Sequence, residues 1–268
     1  MKIAIVINTA WNIANFRSGL IKALLEENYE IIAIAPKDEF VSHIEDLGAR
    51  FIDVAMDRYG SSIVKDMSLF VSYFRLFRRE EIDCVLTYTI KPNIYASLAA
   101  NLLRIPVINN ISGLGSTFIR QSWMTMLVKF LYGKALARSR RVFFQNPEDR
   151  ELFETQKLVR PEVSAILPGS GIDLEKFSML EESVAKQNRP VTFLLIARLL
   201  TDKGVREYAN AAQILKKSCS NVTFQLLGDL DESNPNSVTK QELSRWSENG
   251  FVSYFGGTSD VRPFIDAA

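Results

Sequence analysis

Histidine is almost absent from this 268-residue chain: there is only His43. It falls in the amphipathic stretch FVSHIEDLG at 40–48, away from any strand end, where a surface or packing role suits it. A Ser–His–Asp triad at a sheet rim and a histidine metal cluster are thereby excluded. Cysteine is nearly as scarce. Cys84 and Cys219 have no metal-ligand spacing and read as free thiols of a reducing compartment. No apolar run approaches the roughly 18–20 residues of a membrane span. The N-terminal MKIAIVINTA turns polar too early for a signal peptide. A formal net charge of +1, with no nucleic-acid recognition module, leaves nucleic acid out as a partner. These absences predict a cytoplasmic protein, with a peripheral place on the inner face of the cytoplasmic membrane still open.

What the chain does have is alternation. IAIVI (3–7), IIAIAP (31–36), RFIDVA (50–55), DCVLTY (83–88), PVINNIS (106–112) and RVFFQ (141–145) read as strands. Between them SGLIKALLEEN (18–28), the stretch 40–48, 63–81, 94–103 and 121–138 have helical spacing. Strand–helix alternation with strands apolar on both faces predicts a doubly wound, mostly parallel sheet. Pro161, the PGSG turn at 168–171 and a polar run to Arg189-Pro190 mark a connecting segment. The pattern then restarts with VTFLLIA (191–197), a helix over 203–217, VTFQLLG (222–228), a helix over 238–248, FVSYFG (251–256) and a helix from Val261. The expected organisation is a domain over 1–165, a linker over 166–190 and a second, incomplete domain over 191–268.

Ligands of open α/β sheets bind beyond the carboxyl ends of the strands, so the residues there are the candidates. After the first strand comes NTAWNIANFRSG, a polar loop with Asn12, Asn15 and Arg17 that lacks G-x-G-x-x-G and leads into a helix start able to face an anion. After the fourth come Lys91 and Asn93. After the fifth come Gly113 and Gly115, suited to close backbone approach or to a positive-φ turn. Asn146, Pro147 and the acids after them are ordinary helix-capping chemistry. In the second half, Arg198 and Lys203 follow one strand, Gly228 and Asp229 the next, and Gly256–Asp260 the third. A planar Arg fork with a Lys point charge suits a diphosphate; an Arg198 paired with Asp202 or Glu207 and a solvated Lys203 suit the spacing equally. Residues 120–141 carry six Lys/Arg and no acid. Trp123, Lys129, Lys134, Arg138, Arg140 and Arg141 are therefore candidates for contact with an anionic membrane surface.

Taken in order, FQNPEDRELF, LPGSGIDLEKF, LLIARLLTDKGVREYANAA, FQLLGD and FVSYFGGTSDVRPFIDAA resemble retaining glycosyltransferases of family 4, of the GT-B fold. NFRSGLIKALLEENYEIIAIAP and TYTIKPNIYASLAANLLRIPVINNISGLGSTF resemble a bacterial branch of that family that builds surface polysaccharide on lipid-linked carriers. The resemblance covers essentially the whole chain and implies two Rossmann-like domains. It also implies transfer, with retention, of a sugar from a nucleotide diphosphate donor, UDP-linked as the family-level expectation, to a lipid-linked or saccharide acceptor. It implies that Arg198 and Lys203 hold the donor diphosphate and stabilise the leaving group. Asn15, Arg17, Gly171, Gly228, Asp229, Thr258, Ser259 and Asp260 would be further donor contacts, with the GGTSD segment by the base. Lys91, Asn93, Ser112, Gly113, Leu114 and Gly115 would face the acceptor. No cofactor and no metal is implied.

The sequence departs from the family pattern twice. Many relatives have His where Ser112 stands, and a glutamate pair that engages the donor would fall after Ala268, so the resemblance implies a truncated second domain. Two other functions fit this reading: a non-catalytic fragment that binds membrane or partner proteins, and a nucleotide-sugar epimerase of the same fold.

Overall fold

The computed structural model describes residues 1–57, 62–113, 123–178, 190–232, 234 and 236–268. They form two compact units, Met1–Asp173 and Leu174–Ala268.

The first unit is built on seven parallel strands: β1 Lys2–Val6, β2 Glu30–Ala35, β3 Arg50–Asp53, β4 Cys84–Tyr88, β5 Val107–Ile111, β6 Arg141–Phe144 and β7 Ser164–Ile166. Their order is β3-β2-β1-β4-β5-β6-β7. Because side chains alternate along a strand, the apolar runs supply two faces at once. Ala4, Val6, Ile32 and Ile34 pack with Tyr73, Leu76 and Phe77 of the helix Ile63–Glu80. Ile3, Ile5, Ile7, Ile31 and Ala33 form a separate core with Ile13, Ile21 and Ile44 from the helices Ala10–Phe16, Ser18–Glu26 and Val41–Asp46. Each fully buried isoleucine contributes about 1.5–3 kcal/mol, and a one-residue register slip would exchange the two faces. The chain runs outward from β1 to β3 and returns to β4 on the other side of β1. The crevice at the carboxyl ends of β1 and β4 is thus the topological switch point.

Three elements differ from expectation. The polar loop after β1 is largely the helix Ala10–Phe16. Thr9 caps it by accepting the Asn12 N–H at 3.0 Å, and Ala10 and Ile13 are fully buried. Two buried positions are enough to dock seven residues whose other side chains are mostly polar or exposed. The helix expected over 94–103 begins earlier, with a π-helical turn Pro92–Ala96 running into Ser97–Leu103. β7 has no counterpart among the expected elements. Its three residues pair with β6 at the sheet edge, where one neighbour is enough and no apolar alternation is needed.

The second unit holds β8 Val191–Ile196, β9 Val222–Leu227 and β10 Ser253–Tyr254, parallel in the order β10-β9-β8. The strand expected over 251–256 shrinks to two residues, since only Ser253 and Tyr254 find partners on β9. Its core gathers Val205, Ala209 and Ala212 of the helix Val205–Leu215, Leu243 and Trp246 of the helix Lys240–Glu248, and Phe224 and Leu226 of β9. Val191 and Phe193 on β8 stay 56% and 41% exposed.

Candidate active site at the strand ends

In the second unit, backbone hydrogen bonds lace the carboxyl ends of all three strands. The N–H of Ala197 donates to the Leu227 carbonyl (3.0 Å), that of Leu199 to the Asp229 carbonyl (3.1 Å) and that of Gly228 to the Gly256 carbonyl (2.8 Å). The Tyr254 hydroxyl closes on the Gly228 carbonyl at 3.0 Å. Such close approach requires glycine: at Gly228, where φ is +146°, a Cβ would lie 1.8 Å from the Ala197 carbonyl oxygen. Arg198 leaves this rim exposed, and Lys203 ends the 3₁₀ turn Thr201–Lys203. Gly204, at φ +72°, then opens the helix Val205–Leu215. Among the described residues neither cation makes an ion pair or a side-chain hydrogen bond, so the pairing of Arg198 with Asp202 or Glu207 is not formed. Two unneutralised cations beside a helix N-terminus make a site of positive potential.

Asp229 and Ser259 are exposed on the same rim. Asp260 is not free: Arg262 grips it through Nε at 2.8 Å and Nη2 at 2.7 Å, holding its carboxyl down to about 2. Thr258 Oγ1 accepts the Asp260 N–H at 3.1 Å, so these two residues shape the turn and Ser259 is left facing solvent. Gly171, at φ +70°, lies exposed at the end of the first unit.

The first unit's strand ends are organised by side chains. A buried polar network ties β4 and β5 to the π-helical turn. Asn109 Nδ2 reaches Thr87 Oγ1 (2.7 Å), Ser97 Oγ (2.8 Å) and Asn93 Oδ1 (3.1 Å), and Asn109 Oδ1 accepts from Ser139 Oγ (2.6 Å). Asn93 Nδ2 donates to the Asn110 carbonyl at 2.9 Å. Asn93, expected to face an acceptor, is fully buried and its side chain is spent inside this network. Lys91 is drawn to Asp66 Oδ1 at 2.6 Å, and the Tyr95 hydroxyl donates to Asp66 Oδ2 at 3.0 Å. Ser112 is exposed and donates to Asn110 Oδ1 at 3.2 Å. Gly113, at φ +136°, has open space where a Cβ would go. Leu114 and Gly115 lie outside the described residues. Asn15 is exposed and donates to the Trp11 carbonyl at 2.9 Å.

Arg17 is 8% exposed, its guanidinium 4.1 Å above the ring of Tyr88, the last residue of β4. Sequence reasoning missed that contact and the polar network. The Asn109–Asn110 pair inside an otherwise apolar strand was the available signal for the network; nothing in the sequence pairs Arg17 with Tyr88.

The basic helix Trp123–Leu136 runs from the carboxyl to the amino edge of the sheet, about 21 Å at 1.5 Å per residue. Met126 and Phe130 are 71% and 61% exposed one turn apart, and Lys134 sits 5.6 Å from the Phe130 ring. Lys129 is half-buried. Arg138, Arg140 and Arg141 lie exposed at the far, amino edge. Trp123 begins the helix at the carboxyl edge, so the expected contact residues span the sheet rather than one patch.

Two α/β units, each with its polar rim at the carboxyl ends of parallel strands, have the architecture of the GT-B fold. The chain belongs to the Glycosyl transferase 4-like family, which matches residues 2–146. It is 28% identical over 276 residues to the N,N'-diacetylbacillosaminyl-diphospho-undecaprenol alpha-1,3-N-acetylgalactosaminyltransferase of Campylobacter jejuni, covering 97% of this chain and 71% of that one. It is 25% identical to the UDP-Gal:alpha-D-GlcNAc-diphosphoundecaprenol alpha-1,3-galactosyltransferase of Escherichia coli, over 63% of this chain and 46% of that protein's length. The structure of Anabaena HepE in complex with UDP and glucose superposes on all of this chain and 72% of its own, with a TM-score of 0.74 at 17% identity.

Proposed function

We propose that this glycosyltransferase moves a sugar, with retention, from a UDP-sugar to a saccharide carried on a lipid diphosphate, in the synthesis of bacterial surface polysaccharide. The observation that carries the reading is the pair Arg198 and Lys203: exposed, unpaired and beside a helix start at a glycine-cleared rim. As the glycosidic bond breaks, negative charge grows on the departing diphosphate. Cations fixed in advance stabilise that charge without reorganising. Such a site works without a metal ion, and we assign none to it. Ser259 and the backbone of the Gly256–Asp260 turn would lie by the base. The acceptor class follows the Campylobacter and E. coli relatives, both named for undecaprenol-diphosphate-linked sugars. A membrane-bound acceptor also gives a role to the Met126–Phe130–Lys134 stripe, whose apolar and cationic groups suit an anionic lipid surface.

Transfer from a panel of UDP-sugars to a lipid-diphosphate saccharide in vesicles tests this directly. Arg198→Ala or Lys203→Ala should lower turnover by about 10²–10³-fold, the range for loss of one charge-stabilising group. Wild-type rates in either variant would remove the leaving-group role. Equal rates on anionic and neutral vesicles would remove the membrane contact.

A further inference from the structure

At the amino ends of β5 and β6, opposite the first unit's polar rim, three arginines converge without a carboxylate. Arg104 closes the helix Ser97–Leu103 in a left-handed conformation, φ +58°, shortly before β5. Arg138 follows the helix Trp123–Leu136, and Arg140 stands immediately before β6. With Asn101, Ile105 and Pro106 they line a hollow of about 200 Å³, and no acid lines it among the described residues. The Asn101 amide donates to the Ala135 carbonyl at 2.8 Å, tying together the two helices whose ends carry Arg104 and Arg138.

The helix ends do not account for the cluster. Basic side chains near a helix C-terminus often satisfy its last carbonyls. Arg138 does so weakly, with Nη1 3.4 Å from the Asn101 carbonyl. Arg104 and Arg140 make no ion pair and no side-chain hydrogen bond among the described residues. Elsewhere the fold supplies acids to its arginines: Glu80 to Arg50, Glu154 to Arg150, Glu242 to Arg206 and Asp260 to Arg262. A guanidinium keeps its charge, so repulsion around the hollow is not relieved by loss of a proton. An anion relieves it. The backbone offers that anion no donor, because the N–H groups of Arg104, Ile105 and Arg140 are taken by the carbonyls of Asn101 (3.3 Å), Ala100 (2.9 Å) and Val107 (2.9 Å). Recognition falls to the guanidinium forks. They stand on separate elements, so they suit a tetrahedral phosphoryl group, reachable from several sides, better than a planar carboxylate that faces one way.

We propose that Arg104, Arg138 and Arg140 bind a phosphoryl group, carried by free phosphate or by the phosphodiester headgroup of an anionic lipid. The five residues of β5 place it about 16 Å from the first unit's rim, at 3.3 Å per residue. The site is therefore separate from the transfer chemistry and does not rest on that reading.

The test uses the full chain carrying Arg198→Ala and Lys203→Ala as the parent, so that the other unpaired cations do not compete. Arg104→Met with Arg140→Met is compared with a charge-matched control, Lys217→Met with Arg245→Met, both exposed on the second unit. Inorganic phosphate and pyrophosphate are titrated by calorimetry at low salt. Co-sedimentation is measured with phosphatidylcholine vesicles, with and without phosphatidylglycerol. Loss of Arg104 and Arg140 should weaken at least one probe by about tenfold or more, and the control by about threefold or less. The ligand-free melting temperature should stay level or rise, because like charges are removed. Arg104→Lys with Arg140→Lys keeps the charge and loses the forks; it should fall between, and it carries the test if the Met pair does not fold. Loss confined to phosphate and pyrophosphate assigns the site to a free anion. Loss confined to phosphatidylglycerol vesicles assigns it to a headgroup, and loss of both assigns a site that takes the phosphoryl group in either form. If no probe binds the parent, if the Arg104 and Arg140 variants bind as tightly as the parent, or if the control loses as much, the site is refuted.

Discussion

The two rims reach similar ends by different means. In the second unit, glycine backbones meet closely and two cations, Arg198 and Lys203, stand exposed at the rim with no side-chain partner among the described residues. In the first, side chains do the fixing: a five-residue polar network locks β4, β5 and the π-helical turn, and the cation is buried. A backbone-built rim tolerates almost any exposed side chain but no added Cβ at its crossings. A side-chain-built rim tolerates backbone variation but not the loss of one network member. Substitutions can separate these cases because two compact units need not melt together.

The largest expected effect is at Gly228. A Cβ there would meet a backbone carbonyl at 1.8 Å, and backbone cannot rotate away as a side chain can. Gly228→Ala should cost about 4 kcal/mol or more, from overpacking and strain together. Gly113 also has positive φ, yet a Cβ there meets nothing within 4 Å, so Gly113→Ala should cost only about 1–2 kcal/mol of backbone strain. Urea denaturation followed by tryptophan emission reads both; equal losses would break the distinction. Trp246 sits in the second unit's core and reports on that transition.

Asn109 comes next. It is fully buried, and replacing it with Leu keeps the volume but strands Thr87, Asn93, Ser97 and Ser139. The expected loss is about 2–4 kcal/mol, in the first unit's transition only. A shift confined to the second unit's transition would contradict the assignment of the network to the first rim.

The contrast also explains what could be read in advance. Strands such as IAIVI announce themselves because burial on both faces demands a continuous apolar run, and that pattern is local. The place of Arg198 and Lys203 at a strand end was legible for the same reason, since strand end, cations and glycine follow one another within ten residues, but the spacing left their pairing with Asp202 or Glu207 open. Arg17 was legible as a residue but not as a buried one, since its partner Tyr88 lies three helix–strand units further along the chain. The helix Ala10–Phe16 hid behind its polar composition, because two buried positions carry no periodicity. Asn93 and Lys91 were named for their place after a strand. Whether such a side chain turns outward depends on Asp66 and Asn109, which only the fold brings near.

The smallest effect probes the exposed side of the second unit. Arg206 donates to both Glu242 oxygens, at 2.8 and 3.1 Å, and Glu242 closes a capping box with Thr239 at the start of the helix Lys240–Glu248. The Arg206 hydrogen bonds, then the Thr239 N–H, hold the Glu242 carboxyl down to about 2 from 4.5. A depressed carboxyl stabilises the fold above its unfolded value, and the gain fades as pH falls from 4.5 toward 2. Both side chains keep substantial solvent contact, at 42% and 26% exposure, so screening limits the gain to about 1 kcal/mol. Glu242→Gln should therefore lower the second unit's denaturation midpoint slightly at neutral pH and converge with the wild type in acid. Asp260, also held low by Arg262, titrates in both proteins and cancels in the difference. A constant gap between the two midpoints across that window would show that the box acts through hydrogen-bond geometry rather than charge.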